Sequence, residues 1–322
     1  MRATWLDTIG DTSQSDVQMN SNILQHIKEG TMRKTVFLSL ILAAVASGSA
    51  ALAREAATAA ATAVPGKQTL SYGAAAAQRL EYWPGAAAHS PLVVFVHGGG
   101  WKRGDMTMMD GSAKLSHWHA LGYAVASIDY RLVPQATVEN EAADVAEATA
   151  FLRSNAGRLG FDAGRIVLVG HSAGAHLVAL VGTDPRWLNG AGLNMDDVRG
   201  IVALDGAAYD VPDQLGIGVP LMHSTYVEAF GTDPERQRSL SPTLQTTSPN
   251  APAFLILHVQ RPDGIEQSRN LAAALKAAGT PVEIDGFPGT GLAGHAAINR
   301  RLGESDYPAT PVLDRWLAKV FK

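Results

Sequence analysis

Short, continuous apolar runs recur along the chain and are separated by longer segments with helical composition. The runs predict buried strands at 92–96, 123–128, 166–169, 201–204, 254–257 and 282–284. Helices are predicted between and after them at 109–121, 139–156, 266–278 and 306–321. Two earlier segments, 68–72 and 78–83, predict an antiparallel pair at the edge of the same sheet. This alternation indicates an α/β fold with a mostly parallel central sheet and helices on both faces.

One stretch interrupts that alternation. Residues 212–250 show no strong periodicity and are predicted to make a long excursion over the sheet, so that 206–250 is a possible lid. The other elements fit a single folded domain over 68–322. Right-handed crossovers would place the carboxyl ends of its parallel strands at one edge, where open α/β sheets bind ligands.

The N-terminal segment has a different pattern. Met32 is followed by two basic residues, an apolar run at 36–46 and small residues up to 53, the order of a secretory signal peptide over 32–53. A buried core helix and an uncleaved anchor are the alternatives. We expect synthesis to start at Met32, which makes 1–31 an over-extended start, and expect an exported protein, periplasmic or secreted. The apolar run is short for a membrane span, so no stable span is expected after cleavage. The alanine-rich residues 54–67 are predicted to be a tether.

Composition removes several classes of function. The 322 residues carry a net charge of −4 with no basic block, so no nucleic-acid partner is expected. The chain has no cysteine, which excludes a disulfide framework, a thiol nucleophile and a cysteine metal site.

The strand at 166–169 leads directly into the sequence Gly-His-Ser-Ala-Gly at 170–174, and a helix of small apolar residues follows. A strand, a tight turn and a helix with a serine at the apex form the context of a nucleophile elbow. There the serine is held in a strained conformation that projects its hydroxyl above the sheet, and the flanking glycines let strand and helix approach closely. An ordinary turn that contains a serine is the alternative. We predict Ser172 to be a nucleophile.

A second motif, His-Gly-Gly-Gly-Trp at 97–101, follows the strand at 92–96. Consecutive glycines leave backbone N–H groups unobstructed, and acyl transfer needs such donors for the negative oxygen of its tetrahedral intermediate. We predict an oxyanion hole made by the amides of Gly99, Gly100 and Ala173. A flexible or phosphate-binding loop is the alternative, although the lysine and serine or threonine of a P-loop are missing.

A serine nucleophile needs a histidine base, and ten histidines compete for that role. His171 and His176 belong to the elbow itself, where a base facing Ser172 is not expected, and His97 is better placed to hold the glycine loop. His295 lies beyond the final strand in a glycine-rich segment, predicted to be a mobile loop at the carboxyl edge of the sheet. We predict His295 to be the base.

The base in turn needs an orienting carboxylate, which in this chain order lies between the serine and the histidine. Asp263 follows the strand at 254–257 and Asp205 follows the strand at 201–204. We favour Asp263 and keep Asp205 as the alternative. Asp263 could also be the N-cap of the next helix, because it precedes a glycine and a helical segment.

These motifs resemble the α/β-hydrolase superfamily. Together with residues 129–134, Asp-Tyr-Arg-Leu-Val-Pro, they are similar to the carboxylesterase branch that includes hormone-sensitive-lipase-like, feruloyl-esterase-like and kynurenine-formamidase-like enzymes. The resemblance covers 68–322 and implies the α/β-hydrolase fold. It also implies the catalytic roles of Ser172, Asp263 and His295 and of the glycine donors. The segment around Asp263 departs from the family pattern, in which the aspartate stands in a His-Gly-x-x-Asp turn.

We therefore expect a serine carboxylesterase that hydrolyses small acyl or aryl esters through an acyl-enzyme and needs no cofactor or metal. An arylformamidase, another hydrolase or an acyltransferase of the same fold is the alternative, and a non-catalytic binding protein is less favoured. The expected partner is a small-molecule ester, and the sequence leaves the oligomeric state open. Trp101 and Tyr209 are candidate pocket residues, with core packing as the alternative.

Overall fold

The computed structural model of the protein describes residues 64–217, 220–247 and 249–322. The predicted start and signal segment, 1–53, and most of the tether lie outside the described residues and stay predictions. Within the described ranges, no helix combines the length and apolar character that a membrane span requires.

The strands form one mixed sheet with the order β1-β2-β4-β3-β5-β6-β7-β8. Their bounds are Gln68–Ser71 (β1), Arg79–Trp83 (β2), Ser90–Val96 (β3), Ala124–Ile128 (β4), Phe161–His171 (β5), Gly200–Leu204 (β6), Phe254–Gln260 (β7) and Val282–Thr290 (β8). β1 and β2 pair antiparallel, as predicted, and β2 pairs antiparallel with β4. Every other pairing is parallel, so the carboxyl ends of β3 to β8 share one edge.

Helices cover both faces of this sheet. Their bounds are Ala113–Ala120 (α1), Val138–Ser154 (α2), Ala156–Leu159 (α3), Ala173–Thr183 (α4), Pro185–Gly190 (α5), Val211–Ile217 (α6), Pro220–Phe230 (α7), Pro234–Ser239 (α8), Pro262–Ala277 (α9), Gly291–Arg301 (α10) and Ala309–Val320 (α11). Short 3-10 helices lie at Met106–Met109, Met195–Asp197 and Pro242–Gln245.

The continuous apolar runs reflect a sheet that is buried on both faces. Along β3, Val94 and Val96 face the core shared with α2, α4 and α9, whereas Val93 and Phe95 face the core shared with α1, α10 and α11. Each strand of a covered parallel sheet must be apolar at successive positions, since successive side chains point to opposite faces. This arrangement holds the strand ends in place for the site at the carboxyl edge.

Two regions differ from the sequence predictions. The excursion is helical, because α6, α7, α8 and a 3-10 helix occupy much of 211–245. Short helices of this kind show little periodicity of their own. The predicted mobile loop before His295 is wrong: β8 continues to Thr290 and α10 begins at Gly291, so His295 lies in the second turn of a helix.

Candidate active site

Ser172 stands between β5 and α4 in a conformation that few non-glycine residues adopt. Its φ is 58° and its ψ is −119°, and its N–H donates to the carbonyl of Leu204 at 3.0 Å. A Cβ at Gly170 would overlap the carbonyl of Gly174, and a Cβ at Gly174 would overlap the carbonyl of Val96. Only glycine fits at both positions, so the predicted elbow forms and lifts the Ser172 hydroxyl to the edge of the sheet.

The glycine loop passes beside this serine. A Cβ at Gly98 would lie 3.0 Å from the Cβ of Ser172, and Gly99 and Gly100 have positive φ values of 134° and 63°. His97 and Tyr130 hold the start of the loop. The His97 Nδ1–H donates to the Gly98 carbonyl at 2.8 Å, and the Tyr130 hydroxyl donates to the His97 carbonyl at 2.8 Å.

The candidate oxyanion donors remain free of internal partners. In the described part of the chain, the N–H groups of Gly99, Gly100 and Ala173 donate to no other backbone carbonyl outside the regular elements. Ala173 is the first residue of α4, where a helix leaves its N–H groups without partners inside the helix. These amides are therefore available to a ligand beside Ser172.

His295 reaches the serine from α10. Its Nε2 lies 2.9 Å from Ser172 Oγ, and its Nδ1 lies 2.6 Å from Asp205 Oδ2. An imidazole with Nδ1–H directed at a carboxylate exposes Nε2 as the acceptor for the serine proton. The helix fixes the position of the ring without the loop motion that the sequence analysis assumed.

The predicted pairing of Asp263 with His295 is wrong, and the alternative Asp205 occupies that position. Asp205 follows β6 with a φ of 43° and a fully buried side chain. Its Oδ1 accepts from the Val259 N–H at 3.0 Å, and its Oδ2 accepts from Arg261 Nε at 2.9 Å as well as from His295. Burial alone would raise the pKa of Asp205, but the hydrogen bond from His295 and the charge of Arg261 outweigh it and bring the pKa to about 2.

Asp263 lies farther from His295, beyond Asp205 and Arg261. It stands in the first turn of α9, and its Oδ2 accepts from Arg261 Nη1 at 3.0 Å. The guanidinium of Arg261 therefore separates it from Asp205. The chain after β7 turns into α9 at Pro262, which carries Asp263 to the far side of Arg261 from His295.

Two further histidines have partners that the motif alone did not identify. The His171 Nε2–H donates to the backbone carbonyl of His295 at 3.0 Å, and the two rings lie 4.5 Å apart between centroids. Burial, followed by the proximity of His295, lowers the pKa of His171 to about 3. His176 accepts from the Trp101 indole at 3.3 Å and donates to the Leu240 carbonyl at 2.8 Å. Neither ring faces the Ser172 hydroxyl as a base.

The candidate pocket residues lie in the core instead. Trp101 is 1 % exposed and packs against Tyr226 and Phe230, and Tyr209 is fully buried. Trp101 anchors the glycine loop to α7 through Tyr226 and Phe230, and to α4 through the hydrogen bond from its indole to His176. This is the core-packing alternative, and it leaves neither side chain a surface to present to a ligand.

Sequence reasoning missed Arg261 and the partner of His171. The only sequence signal for Arg261 was its position immediately after a strand at the carboxyl edge, next to Asp263. In the described ranges no group of three or more His, Asp or Glu side chains is arranged to hold a metal ion.

An eight-stranded sheet of this order, with a serine elbow after β5 and a histidine after β8, defines an α/β-hydrolase. The chain therefore has the α/β-hydrolase fold, which solved esterase structures share. Residues 82–198 match the model of the BD-FAE family.

The chain is also similar to known esterases. Esterase LipC of Mycobacterium tuberculosis is 32% identical over 224 residues, which cover 66% of this chain and 55% of LipC. The chain thus spans about half the length of that relative. The solved esterase from the archaeon Pyrobaculum calidifontis superposes with a TM-score of 0.66 at 21% identity, over 82% of this chain and 89% of that one. Esterase B of Lactobacillus rhamnosus superposes with a TM-score of 0.63 at 22% identity, over 86% and 92%.

Proposed function

We propose that the protein is a serine carboxylesterase that hydrolyses small acyl or aryl esters. The observation that carries the proposal is the hydrogen-bonded chain from Ser172 through His295 to Asp205, beside a glycine loop with unpartnered amides. The names of the similar proteins, such as esterase LipC, agree with it. The expected partner is a small-molecule ester, and the residues of the chain supply every group that the reaction needs.

In the first half of the reaction, Ser172 Oγ attacks the ester carbonyl carbon while its proton moves to His295 Nε2. The carbonyl oxygen becomes negative and is held by the amides of Gly99, Gly100 and Ala173. Asp205 stabilises the imidazolium and keeps its Nδ1–H directed inward. The intermediate then collapses, the ester C–O bond breaks, and the leaving alcohol takes the proton from His295.

In the second half, water takes the place of the alcohol. His295 accepts a proton from the water as its oxygen attacks the acyl carbon. A second negative intermediate forms in the same set of amides and collapses, which releases the carboxylic acid and returns the proton to Ser172. Asp205, with a pKa near 2, stays ionised through both halves at neutral pH.

The proposal is tested by hydrolysis of p-nitrophenyl acetate and butyrate by the full chain and by Ser172→Ala. Loss of the nucleophile should lower kcat by about 10⁴-fold or more. Ser239→Ala, which removes a half-buried hydroxyl that donates to the Arg236 carbonyl, is the matched control and should leave kcat unchanged. Equal activity of the wild type and Ser172→Ala would exclude Ser172 as the nucleophile. A larger kcat/KM on an aryl formamide than on these esters would instead favour the arylformamidase alternative.

We propose in addition that the protein is exported. The support is the order of basic, apolar and small residues over 32–53. Mass spectrometry of the N-terminus of the protein made in its own cells should find an end near Arg54. An N-terminus that retains residues 32–53 would contradict the export proposal.

A further inference from the structure

Arg261 places a positive charge directly on the candidate triad acid. Its side chain is 12 % exposed, and its Nε donates to Asp205 Oδ2, the oxygen that also accepts from His295. Its Nη2 donates to the Gly206 carbonyl at 3.0 Å. The guanidinium is thus held by the Asp205 side chain through Nε and by the backbone just after Asp205 through Nη2.

A positive charge at this position works against the role of Asp205, which is to stabilise the His295 imidazolium. When Ser172 gives up its proton, His295 becomes an imidazolium and is stabilised by the negative charge of Asp205. A guanidinium on the same carboxylate oxygen takes up part of that charge and repels the imidazolium. Left alone, Arg261 would disfavour the protonated form of His295.

Asp263 supplies the compensating charge. Its Oδ2 accepts from Arg261 Nη1 at 3.0 Å, and its side chain is 11 % exposed. The three groups Asp205, Arg261 and Asp263 then carry a net charge of −1, the charge of a lone carboxylate. Gly264 makes room for this geometry, because a Cβ there would lie 2.8 Å from Arg261 Nη2. The partial positive charge at the N-terminus of α9 also attracts the Asp263 carboxylate, which lies in the first turn of that helix.

The other titratable groups around the site are either held neutral or influence the site only through another residue. Burial raises the pKa values of Tyr209, Tyr226 and Tyr307, and it lowers the pKa of His171. Lys114 is buried beside the Phe95 ring and acts on His171. Among the described residues, Arg261 and His295 are the titratable side chains that contact the Asp205 carboxylate, and Asp263 contacts Arg261 from the other side.

We propose that Arg261 and Asp263 form a positioning pair that holds Asp205 in place and sets the negative charge it presents to His295. The proposal rests on the proposed function, in which His295 is the base. It predicts opposite effects for the two members. Asp263→Asn leaves the guanidinium uncompensated and should lower the pH at which the His295 ring takes up its proton by about half a pH unit. Arg261→Gln should raise that pH by a similar amount, and the double variant should return it close to the wild-type value.

The measurement is a pH titration of the His295 ring ¹⁵N resonances in the full chain, assigned by their loss in His295→Asn. The acidic limb of kcat/KM on p-nitrophenyl butyrate is followed in parallel. Asp184→Asn is the matched control, because it neutralises a carboxylate paired with another arginine, Arg186, and it should leave the titration unchanged. The chemical shifts of the remaining histidines show that each variant is folded.

Opposite shifts in the single variants with recovery in the double variant support the pair. An unchanged midpoint in both single variants, or the same shift in Asp263→Asn and Asp184→Asn, overturns it. The ring titration does not depend on turnover, so it separates the two proposals. Opposite shifts in a protein that hydrolyses no ester would sustain the pair and contradict the esterase.

Discussion

The glycine loop follows β3 and Ser172 follows β5, whereas Asp205, Arg261 and His295 follow β6, β7 and β8. The first group, residues 97–101 and 170–174, is here the elbow half of the site. The second group, Asp205, Arg261, Asp263 and His295, is the charged half. The elbow half is held by close backbone contacts that exclude side chains at Gly170 and Gly174. The charged half is held by directed hydrogen bonds between ionisable groups.

The two halves should therefore respond differently to substitution. A backbone that is packed against another backbone tolerates no added carbon atom, so changes in the elbow half should cost folding stability. Changes in the charged half should cost activity first, because removal of one partner alters charge and tautomer while the volume stays the same. Each prediction below tests this division.

The largest effect is expected in the charged half, where loss of one carboxylate should lower kcat far more than loss of the other. Asp205→Asn should lower kcat by about 10⁴-fold, since the amide no longer fixes the His295 tautomer or stabilises its charge. Asp263→Asn should lower kcat by no more than about tenfold, because it acts through Arg261. Steady-state kinetics on p-nitrophenyl butyrate compare the two. A larger loss for Asp263→Asn would reverse the assignment of the acid.

The next effect tests the elbow half through folding. Gly174→Ala should lower the free energy of unfolding by about 3 kcal/mol, because its Cβ overlaps the carbonyls of Val96 and His97. Gly190→Ala is the matched control, since it also lies in a helix but has open space around it. We expect its stability to stay within about 0.5 kcal/mol of the wild type. Denaturant unfolding measures both, and equal stabilities would refute steric control of the elbow.

The smallest effect distinguishes the halves by their response to acid. Burial keeps His171 neutral with a pKa of about 3, whereas the unfolded residue takes up a proton near its ordinary value of 6.5. The stability that this contributes is present above about pH 6.5 and is lost as the pH falls towards 3. The stability advantage of the wild type over His171→Asn should therefore shrink by about 2 kcal/mol between pH 7 and pH 5.

Asp205 provides the contrast to His171. Its pKa is lowered to about 2 from 3.8, so its contribution is present above about pH 3.8 and is lost only as the pH falls through 2. In the His295→Asn background, where this histidine no longer titrates, the difference in free energy of unfolding caused by Asp205→Asn should stay constant from pH 7 to pH 5. Denaturant midpoints at several pH values measure both differences. A constant difference for His171→Asn would show that its ring is not held neutral.

The elbow half could be predicted almost completely from the sequence, because its residues are neighbours in the chain. A strand, two glycines and a serine define the elbow within five positions, and the three glycines after β3 define the loop. The strands could be predicted as well, since a sheet covered on both faces requires uninterrupted apolar runs. His295 was found by elimination, although its helix was mistaken for a loop.

The choice between Asp205 and Asp263 could not be made in this way. Both follow a strand that ends at the same edge, and both lie between the serine and the histidine in chain order. The direction in which each carboxylate points depends on the turn after its strand, which is set by contacts with Leu257, Val259 and Arg261. Those contacts join β6 to β7 and leave no pattern in the sequence near either aspartate.

Sequence patterns are enough to predict the sheet, the elbow, the glycine loop and the presence of a serine and a histidine at one edge. These features depend on short-range rules: which residues fill a two-sided sheet and which backbone angles only glycine adopts without strain. Three features appear only in the folded chain: Asp205 faces His295, Arg261 lies between the two carboxylates, and Trp101 and Tyr209 are core residues. Hydrogen bonds and burial between segments far apart in the chain depend on distances that appear only when the strands are placed side by side.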